Sequence, residues 1–152
     1  METNTQLIQS TTGEKANFYA RATKVTYVLL RVTAGLFFMQ AGGIKLLGWF
    51  GGVNGQGATV NLISLIGVAG TLELLGGTLI ALGLLARPVA FILSGEMAFA
   101  YFIGHFPRGF WPAQNQGLPA VLFCFIFLYM AAHGAGAFSL DALISRRKNR
   151  TL

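Results

Sequence analysis

Long apolar stretches separated by short polar or glycine-rich segments make up most of this chain of 152 residues. A helix needs about 20 consecutive, mostly apolar residues to cross the hydrocarbon core of a bilayer. Four stretches of about that length lie at residues 25–50, 59–86, 88–105 and 118–138. Between them, glycines and prolines mark the places where helices stop. The pattern therefore predicts an all-α protein, an integral membrane four-helix bundle.

Polar segments flank the predicted transmembrane domain, which covers residues 25–138. Residues 1–24 form a polar N-terminal segment, and residues 139–152 form a basic tail. Only a few residues around Arg87 join the second and third spans, so we expect a tight antiparallel hairpin there. In the tail, Ser139 resembles a helix N-cap and Asp141 a first-turn acid, which predicts a short helix.

Charged residues are scarce, and their placement predicts how the chain lies in the membrane. They make up 11% of the sequence, whereas soluble domains have about a quarter, and this excludes a soluble or disordered protein. Eight basic residues flank the spans on one side, against Arg108 alone on the other. By the positive-inside rule both termini are cytoplasmic, and we expect a multi-pass protein of the bacterial inner membrane. The eight residues are Lys15, Arg21, Lys24, Arg87, Arg146, Arg147, Lys148 and Arg150.

The net charge of +6 indicates an acidic partner. We do not expect nucleic acid, because the basic residues are dispersed among apolar runs and form no face interleaved with aromatic residues. Membrane lipid is the expected partner, and the basic tail would attract anionic lipid by roughly 1 kcal/mol per residue. A solvated tail that only sets the topology explains the same charges equally well. The tail residues concerned are Arg146, Arg147, Lys148 and Arg150.

A second group of charges falls inside the predicted spans. Its members are Arg31, Lys45, Glu73 and Glu96. A charge at the centre of a span costs about 2.5–3.5 kcal/mol on insertion scales, so such residues usually face the bundle interior and mark function. Arg31, Phe38 and Lys45 recur at a spacing of seven. With Gly35 and Gly42 beside them, they form a stripe of the first helix that should face the other helices.

Depth in the membrane suggests which of these side chains meet. At about 1.5 Å of rise per residue, Arg31 and Glu96 lie at similar depths from the cytoplasmic side, so we expect them to pair. Glu73 would lie above them, near Gln40 and Tyr101. A buried carboxyl group without a nearby cation can stay neutral, which makes Glu73 the first candidate for proton handling or ligand binding.

The alternative interpretation of these charges is structural. Arg31 would form one buried pair with Glu96. Lys45 would form another with Glu73, and both pairs would only fix the register of the helices. The candidates for ligand binding or proton handling are Glu73, Tyr101, Arg31, Glu96, Lys45 and Gln40.

The sequence shows no redox group or metal site of its own. Cys124 is the single cysteine, which excludes a Cys-x-x-Cys redox pair and a thiolate-held iron–sulfur cluster. His105 and His133 fall at different depths of the third and fourth spans, too far apart to share one haem iron. We therefore expect no metal and no covalent cofactor, and any redox chemistry would need a borrowed one.

Several motifs, taken together over residues 25–142, resemble one known family. They are Leu30-Arg31, Gly35-Leu36-Phe37-Phe38, Gly42-Gly43-Ile44-Lys45-Leu46, Glu73-Leu74-Leu75-Gly76-Gly77, the run Leu82-Gly83-Leu84-Leu85-Ala86-Arg87-Pro88-Val89-Ala90, and Gly134-Ala135-Gly136-Ala137-Phe138-Ser139-Leu140-Asp141. This combination resembles the DoxX family of small four-helix integral membrane proteins. The family is named with the membrane subunit of thiosulfate:quinone oxidoreductase. Gln40 departs from the pattern, because relatives often carry His there.

The resemblance implies a quinone-linked membrane redox system. The motif-matching positions are Arg31, Lys45, Glu73 and Arg87. The chain would be a membrane subunit that binds a quinone or similar apolar ligand in the bundle, with other membrane subunits or further copies of itself as partners. The alternatives are a structural or accessory subunit of a larger membrane complex, without chemistry of its own, and an oligomeric transporter of small solutes. The resemblance does not imply that the chain alone is an enzyme.

Overall fold

The computed structural model describes residues 2–149, with side chains from residue 13 onward. It contains five α-helices in this part of the chain: α1 (Glu2–Leu47), α2 (Leu65–Leu82), α3 (Ala86–Ala100), α4 (Leu118–His133) and α5 (Leu140–Lys148). The described residues form no strand and only one isolated bridge, between Gly52 and Ala58. The predicted all-α class is confirmed.

Three helical segments are long and apolar enough to cross a membrane, which makes this a helical membrane protein. They are Gly13–Leu47, Leu65–Leu82 and Ala86–Arg108. The third segment continues α3 through a π-helical turn, Tyr101–His105, and a short 3₁₀ turn. The apolar helix α4 has 16 residues, fewer than the about 20 that a straight crossing needs. Helix length thus supports three of the four predicted crossings.

Helix α2 begins six residues later than the predicted second span, because polar side chains hold the preceding residues in a turn. The Asn61 side chain accepts a hydrogen bond from the Ile63 backbone N–H at 2.9 Å. Ser64 donates to the Asn61 carbonyl at 2.6 Å and accepts from the Gly67 N–H at 3.0 Å. Ser64 is therefore the N-cap, and the helix starts at Leu65.

The outer limits of the bundle also differ from the predicted spans. Helix α1 has 46 residues and runs through the polar N-terminal segment without a break. Helix α4 ends five residues early, because Gly134 and Gly136 adopt positive φ angles of 90° and 70°, a conformation that glycine tolerates best. In the tail, the predicted helix cap is confirmed, since Ser139 Oγ accepts a hydrogen bond from the Ala142 N–H at 3.2 Å.

Glycines bring α1 and α2 into close antiparallel contact. A Cβ atom on Gly35 would lie 2.6 Å from the Gly77 carbonyl oxygen and 2.5 Å from the Ala81 nitrogen. A Cβ atom on Gly42 would lie 2.5 Å from the Gly70 carbonyl oxygen. Only glycine permits such close approach of two backbones in a membrane. The stripe of α1 that contains these glycines faces the other helices, as predicted, since Phe38 packs on Phe123 and Phe127 of α4.

A three-residue connection joins α2 to α3 and confirms the predicted hairpin. Gly83 ends α2 with a φ angle of 67°, and α3 starts at Ala86. Helix α4 packs along α3, where Ser94 Oγ donates to the Cys124 carbonyl at 2.8 Å. We call the end of the bundle that contains this connection the hairpin end, and the opposite end, which carries residues 48–64 and 109–117, the loop end.

Candidate functional site

Arg31 lies at the hairpin end and is almost completely buried, with 2% of its surface exposed. Its guanidinium group donates to the carbonyl oxygen of Ala135 and, at 3.0 Å, to that of Phe138. The predicted pair between Arg31 and Glu96 is wrong. Arg31 lies beside Gly83 in the hairpin itself, whereas Glu96 is ten residues into α3, a rise of about 15 Å.

Two further side chains bind the carbonyl groups at the end of α4. Arg87 donates to the Ala132 carbonyl at 2.8 Å and to the His133 carbonyl at 3.3 Å. The Tyr27 hydroxyl donates to the Gly134 carbonyl at 2.5 Å. A cation at a helix C-terminus also interacts favourably with the helix dipole. These contacts hold the end of α4 to α1 and α3.

Asp141 binds backbone N–H groups at the start of α3. Its carboxylate accepts from the backbone N–H groups of Leu85 at 2.9 Å and Ala86 at 3.1 Å. It therefore caps a helix 55 residues earlier in the chain. We refer to the side chains of Tyr27, Arg31, Arg87 and Asp141 as the hairpin-end network.

The other intramembrane charges meet farther from the hairpin. Lys45 donates to both carboxylate oxygens of Glu73, which is 5% exposed. Lys45 and Glu73 thus form the pair that the structural alternative expects, and Glu73 does have a cation beside it. The pair forms because the Cβ of Lys45 lies against Gly70 on the facing helix, where α1 and α2 approach closely.

Glu96 lies level with Glu73 on the neighbouring helix. A Cβ atom on Gly76 would lie 2.9 Å from the Leu93 side chain, so these two residues face each other across the antiparallel hairpin. Glu73 precedes Gly76 by three residues and Glu96 follows Leu93 by three, which places both carboxyl groups at the same height. Glu73 and Lys45 are accordingly the charged groups that act on Glu96.

The carboxyl group of Glu96 differs from the others because it has no partner. Both of its oxygen atoms are buried, and neither forms a hydrogen bond within the described structure. An unsatisfied buried polar group costs about 1–3 kcal/mol, and buried polar groups in native proteins nearly always have a partner. We call Lys45, Glu73 and Glu96 the Glu96 cluster.

Two cavities lie on either side of this cluster. One has a volume of about 290 Å³ and is lined by Glu73 and by apolar side chains that include Phe37 and Phe123. The other has a volume of about 240 Å³ and is lined by Glu96 among apolar groups. Both cavities share Ala100 and His105. Apolar walls with a few polar groups are typical of sites for small organic ligands.

Sequence reasoning missed His105 as a site residue. In a regular helix, nine residues at about 100° each place His105 and Glu96 on opposite faces. The π-helical turn at Tyr101–His105 has wider i→i+5 hydrogen bonds and turns less per residue, so both side chains reach one cavity. Such turns often occur at functional sites. The only signal in the sequence is Gly104 followed by Pro107, two residues that weaken a regular helix.

The remaining intramembrane candidates lie apart from the cluster. The Tyr101 hydroxyl donates to the Phe110 carbonyl at 2.6 Å and thereby ties the π-helical turn to the following loop. Asn115 lies in the same loop and contacts His105. The backbone carbonyl oxygen of Asn115 is 3.1 Å from the His105 Nδ1. Gln40 is exposed on α1.

The basic tail forms the last turn of α5. Arg146, Arg147 and Lys148 are exposed there, and Arg146 lines a separate cavity at the hairpin end. Arg150 lies outside the described residues. Within residues 13–149 no group of three or more His, Cys, Asp and Glu side chains is placed to hold a metal ion.

Comparisons with known proteins give a consistent result. The model of the DoxX family matches residues 26–106, which include the whole Glu96 cluster and His105. A protein of Haemophilus influenzae described as an uncharacterized protein is 41% identical over 115 residues, which are 74% of this chain and 85% of that relative. No solved structure matches the chain.

Proposed function

The chain belongs to the DoxX family, and from this premise we propose that it is a membrane subunit of a quinone-linked redox system. In this proposal a quinone, or a similar apolar ligand with a polar head, binds beside Glu96. The observation that carries the proposal is the carboxyl group of Glu96, buried without a hydrogen-bond partner at the wall of an apolar cavity.

The residues around the cavity suit the two ends of such a ligand. A carboxylate oxygen of Glu96 accepts a hydrogen bond from a hydroxyl of the reduced quinol, and the protonated carboxyl group donates one to a carbonyl of the oxidised quinone. The His105 imidazole lines both cavities and provides a second polar contact. Phe99 and Ile103 offer an apolar wall to the ring or tail. A bound quinone would supply two-electron, two-proton chemistry, with the electrons coming from a partner subunit.

The Lys45–Glu73 pair supports this site without occupying it. Lys45 binds both oxygens of Glu73. The carboxylate is therefore held in place, and the lysine compensates its charge. Glu96 thereby remains the group of the cluster with unused hydrogen-bonding capacity. We therefore assign ligand contact to Glu96 first, and a positioning role to Lys45 and Glu73.

We further propose that the chain crosses the bacterial inner membrane four times, with both termini in the cytoplasm. Arg31, Arg87 and the basic residues of α5 lie at or next to the hairpin end, whereas Arg108 binds the Gly104 carbonyl at the loop end. The short α4 can complete a crossing because Tyr27 and Arg31 satisfy carbonyl groups of the residues after it. Unsatisfied backbone groups are the main obstacle to irregular chain in a membrane.

Quinone content tests the proposed function directly. The full chain is purified from bacterial membranes in mild detergent, and extracted quinone is quantified per chain by mass spectrometry. We expect a stoichiometric quinone in the wild-type protein and its loss in Glu96→Gln. Glu14→Gln removes an exposed carboxylate of α1 and is the matched control. Absence of quinone from the wild type, or unchanged content in Glu96→Gln, would refute the proposal.

A second candidate is an accessory subunit that packs against other helices and has no chemistry of its own. Its support is Gly95, which lies exposed on α3 and has nothing within 4 Å of the position of a Cβ atom. Glycine costs a helix about 1 kcal/mol relative to alanine, and close approach of another helix would compensate that cost. Stable co-purifying subunits without quinone, lost in Gly95→Leu, would favour this candidate.

A further inference from the structure

A third cavity lies at the hairpin end, apart from the Glu96 cluster. Its volume is about 510 Å³, and α1, α2 and the start of α5 surround it. Most of its wall is apolar, including Val28, Val32 and Leu143. Two cationic residues, Arg31 and Arg146, also line it. The cavity thus combines an apolar wall with positive charge.

Arg31 carries a buried charge without an acidic partner. Lys45 pairs with Glu73, whereas the guanidinium of Arg31 donates to two backbone carbonyl groups. Its Nε–H group is buried and has no acceptor. Asp141, which acts on Arg31 electrostatically, already binds the N-terminus of α3. A charge buried without such compensation is costly, so an anion beside Arg31 would be stabilising.

The start of α5 contributes a helix N-terminus to this cavity, and the carboxylate of its first-turn acid, Asp141, binds the N–H groups of α3. Ser139, Leu140 and Ala142 line the cavity with the first turn of a nine-residue helix, whose N-terminus carries partial positive charge. One helical turn later, Arg146 extends to the rim of the same cavity. The buried guanidinium, the helix terminus and the rim arginine therefore converge on one space.

We propose that this cavity binds a phospholipid with an anionic headgroup. The phosphate lies between Arg31, the first turn of α5 and Arg146, and an acyl chain lies along the apolar wall. A zwitterionic lipid would bring a cation beside its phosphate and so compensate the arginine charges less, and a free phosphate would leave the apolar wall empty. Among the basic residues of the tail, the proposal singles out Arg146. It does not depend on the function proposed for the Glu96 cluster.

Lipid titration tests this site. The full chain in a neutral detergent is titrated with phosphatidylglycerol, phosphatidylcholine and inorganic phosphate, and bound molecules are counted by native mass spectrometry. We expect one tightly bound phosphatidylglycerol, with phosphatidylcholine and phosphate both weaker. Arg146→Gln should weaken phosphatidylglycerol binding about fivefold, the effect of about one basic residue near an anionic headgroup.

Two variants make the test specific. Arg147→Gln changes the same charge on the same helix at a residue that does not line the cavity, so it should stay within about twofold of wild type. Ala142→Phe fills the cavity without changing any charge and should abolish the tight binding. Equal affinity for phosphatidylglycerol and phosphatidylcholine, or equal loss in the Arg146 and Arg147 variants, would overturn the proposal. So would inorganic phosphate that binds as tightly as the lipid.

Discussion

The hairpin-end network and the Glu96 cluster both bury charge in a small helical bundle, yet they satisfy it differently. In the network, charged side chains bind backbone groups at helix ends, and the Nε of Arg31 is buried without a partner. In the cluster, one ion pair stands beside a carboxyl group that has no partner at all. The difference separates charged groups that bind the backbone from a carboxyl group that binds no other group of the protein.

Position explains why the two regions differ. The network lies where helices end, and the unpaired carbonyl and N–H groups there need partners. In the cluster, Glu73 and Glu96 lie inside α2 and α3, away from the N-termini and C-termini of these helices. A charged side chain inside a helix is not needed as a hydrogen-bond partner for the backbone. Charged residues inside transmembrane helices usually mark function instead.

Removal of Arg31 should have the largest effect on stability. Arg31→Gln takes away two charge-assisted hydrogen bonds, each worth about 1.5–3 kcal/mol, so we expect a loss of about 3 kcal/mol or more. Thermal unfolding of the purified protein in detergent measures this change. Lys24→Gln, an exposed position of the same helix, is the control and should change little. A small effect for Arg31→Gln would mean that the network does not hold the fold.

Disruption of the Lys45–Glu73 pair should have the next largest effect on stability. Lys45→Met leaves the buried carboxylate of Glu73 without its cation, and we expect a loss of about 2 kcal/mol in the same unfolding assay. The double variant Lys45→Met/Glu73→Gln removes both charges and should recover most of that loss. If the double variant is as unstable as the sum of the single variants, the two residues do not act as a pair.

Asp141 should have a smaller effect, because it caps a single helix. Asp141→Ala removes the acceptors for the Leu85 and Ala86 N–H groups, and loss of an N-cap costs about 1 kcal/mol. Amide hydrogen exchange should accelerate at the start of α3. Exchange in the middle of that helix should stay slow, and acceleration along its whole length would contradict a local capping role.

Local signals in the sequence predicted the features that depend on neighbouring residues. The short connection around Arg87 predicted the hairpin, Ser139 predicted a helix cap, and the spacing of seven from Arg31 predicted the stripe that faces the other helices. Each depends on residues within a few turns of one another. The polar turn at Asn61 and Ser64 carried a similar signal, which apolar run length alone does not reveal.

Nonlocal contacts could not be predicted in this way. Depth counted along each helix paired Arg31 with Glu96, because such counting assumes that the helices start level with the predicted span ends. Asp141 caps α3 from a position far along the chain, which no local pattern indicates. His105 reaches the cavity only through the π-helical turn, which changes the helix phase after Tyr101.

The most direct test of a ligand-binding role for Glu96 measures the unfolding stability of Glu96→Gln with and without a quinone. We expect the variant to unfold within about 0.5 kcal/mol of the wild type, as for other substitutions without structural partners. A short-chain quinone at about 100 times its Kd should stabilise the wild-type protein by about 2.7 kcal/mol and should leave Glu96→Gln unchanged. An equal thermal shift in both proteins would contradict the account, because Glu96 would then have no part in binding.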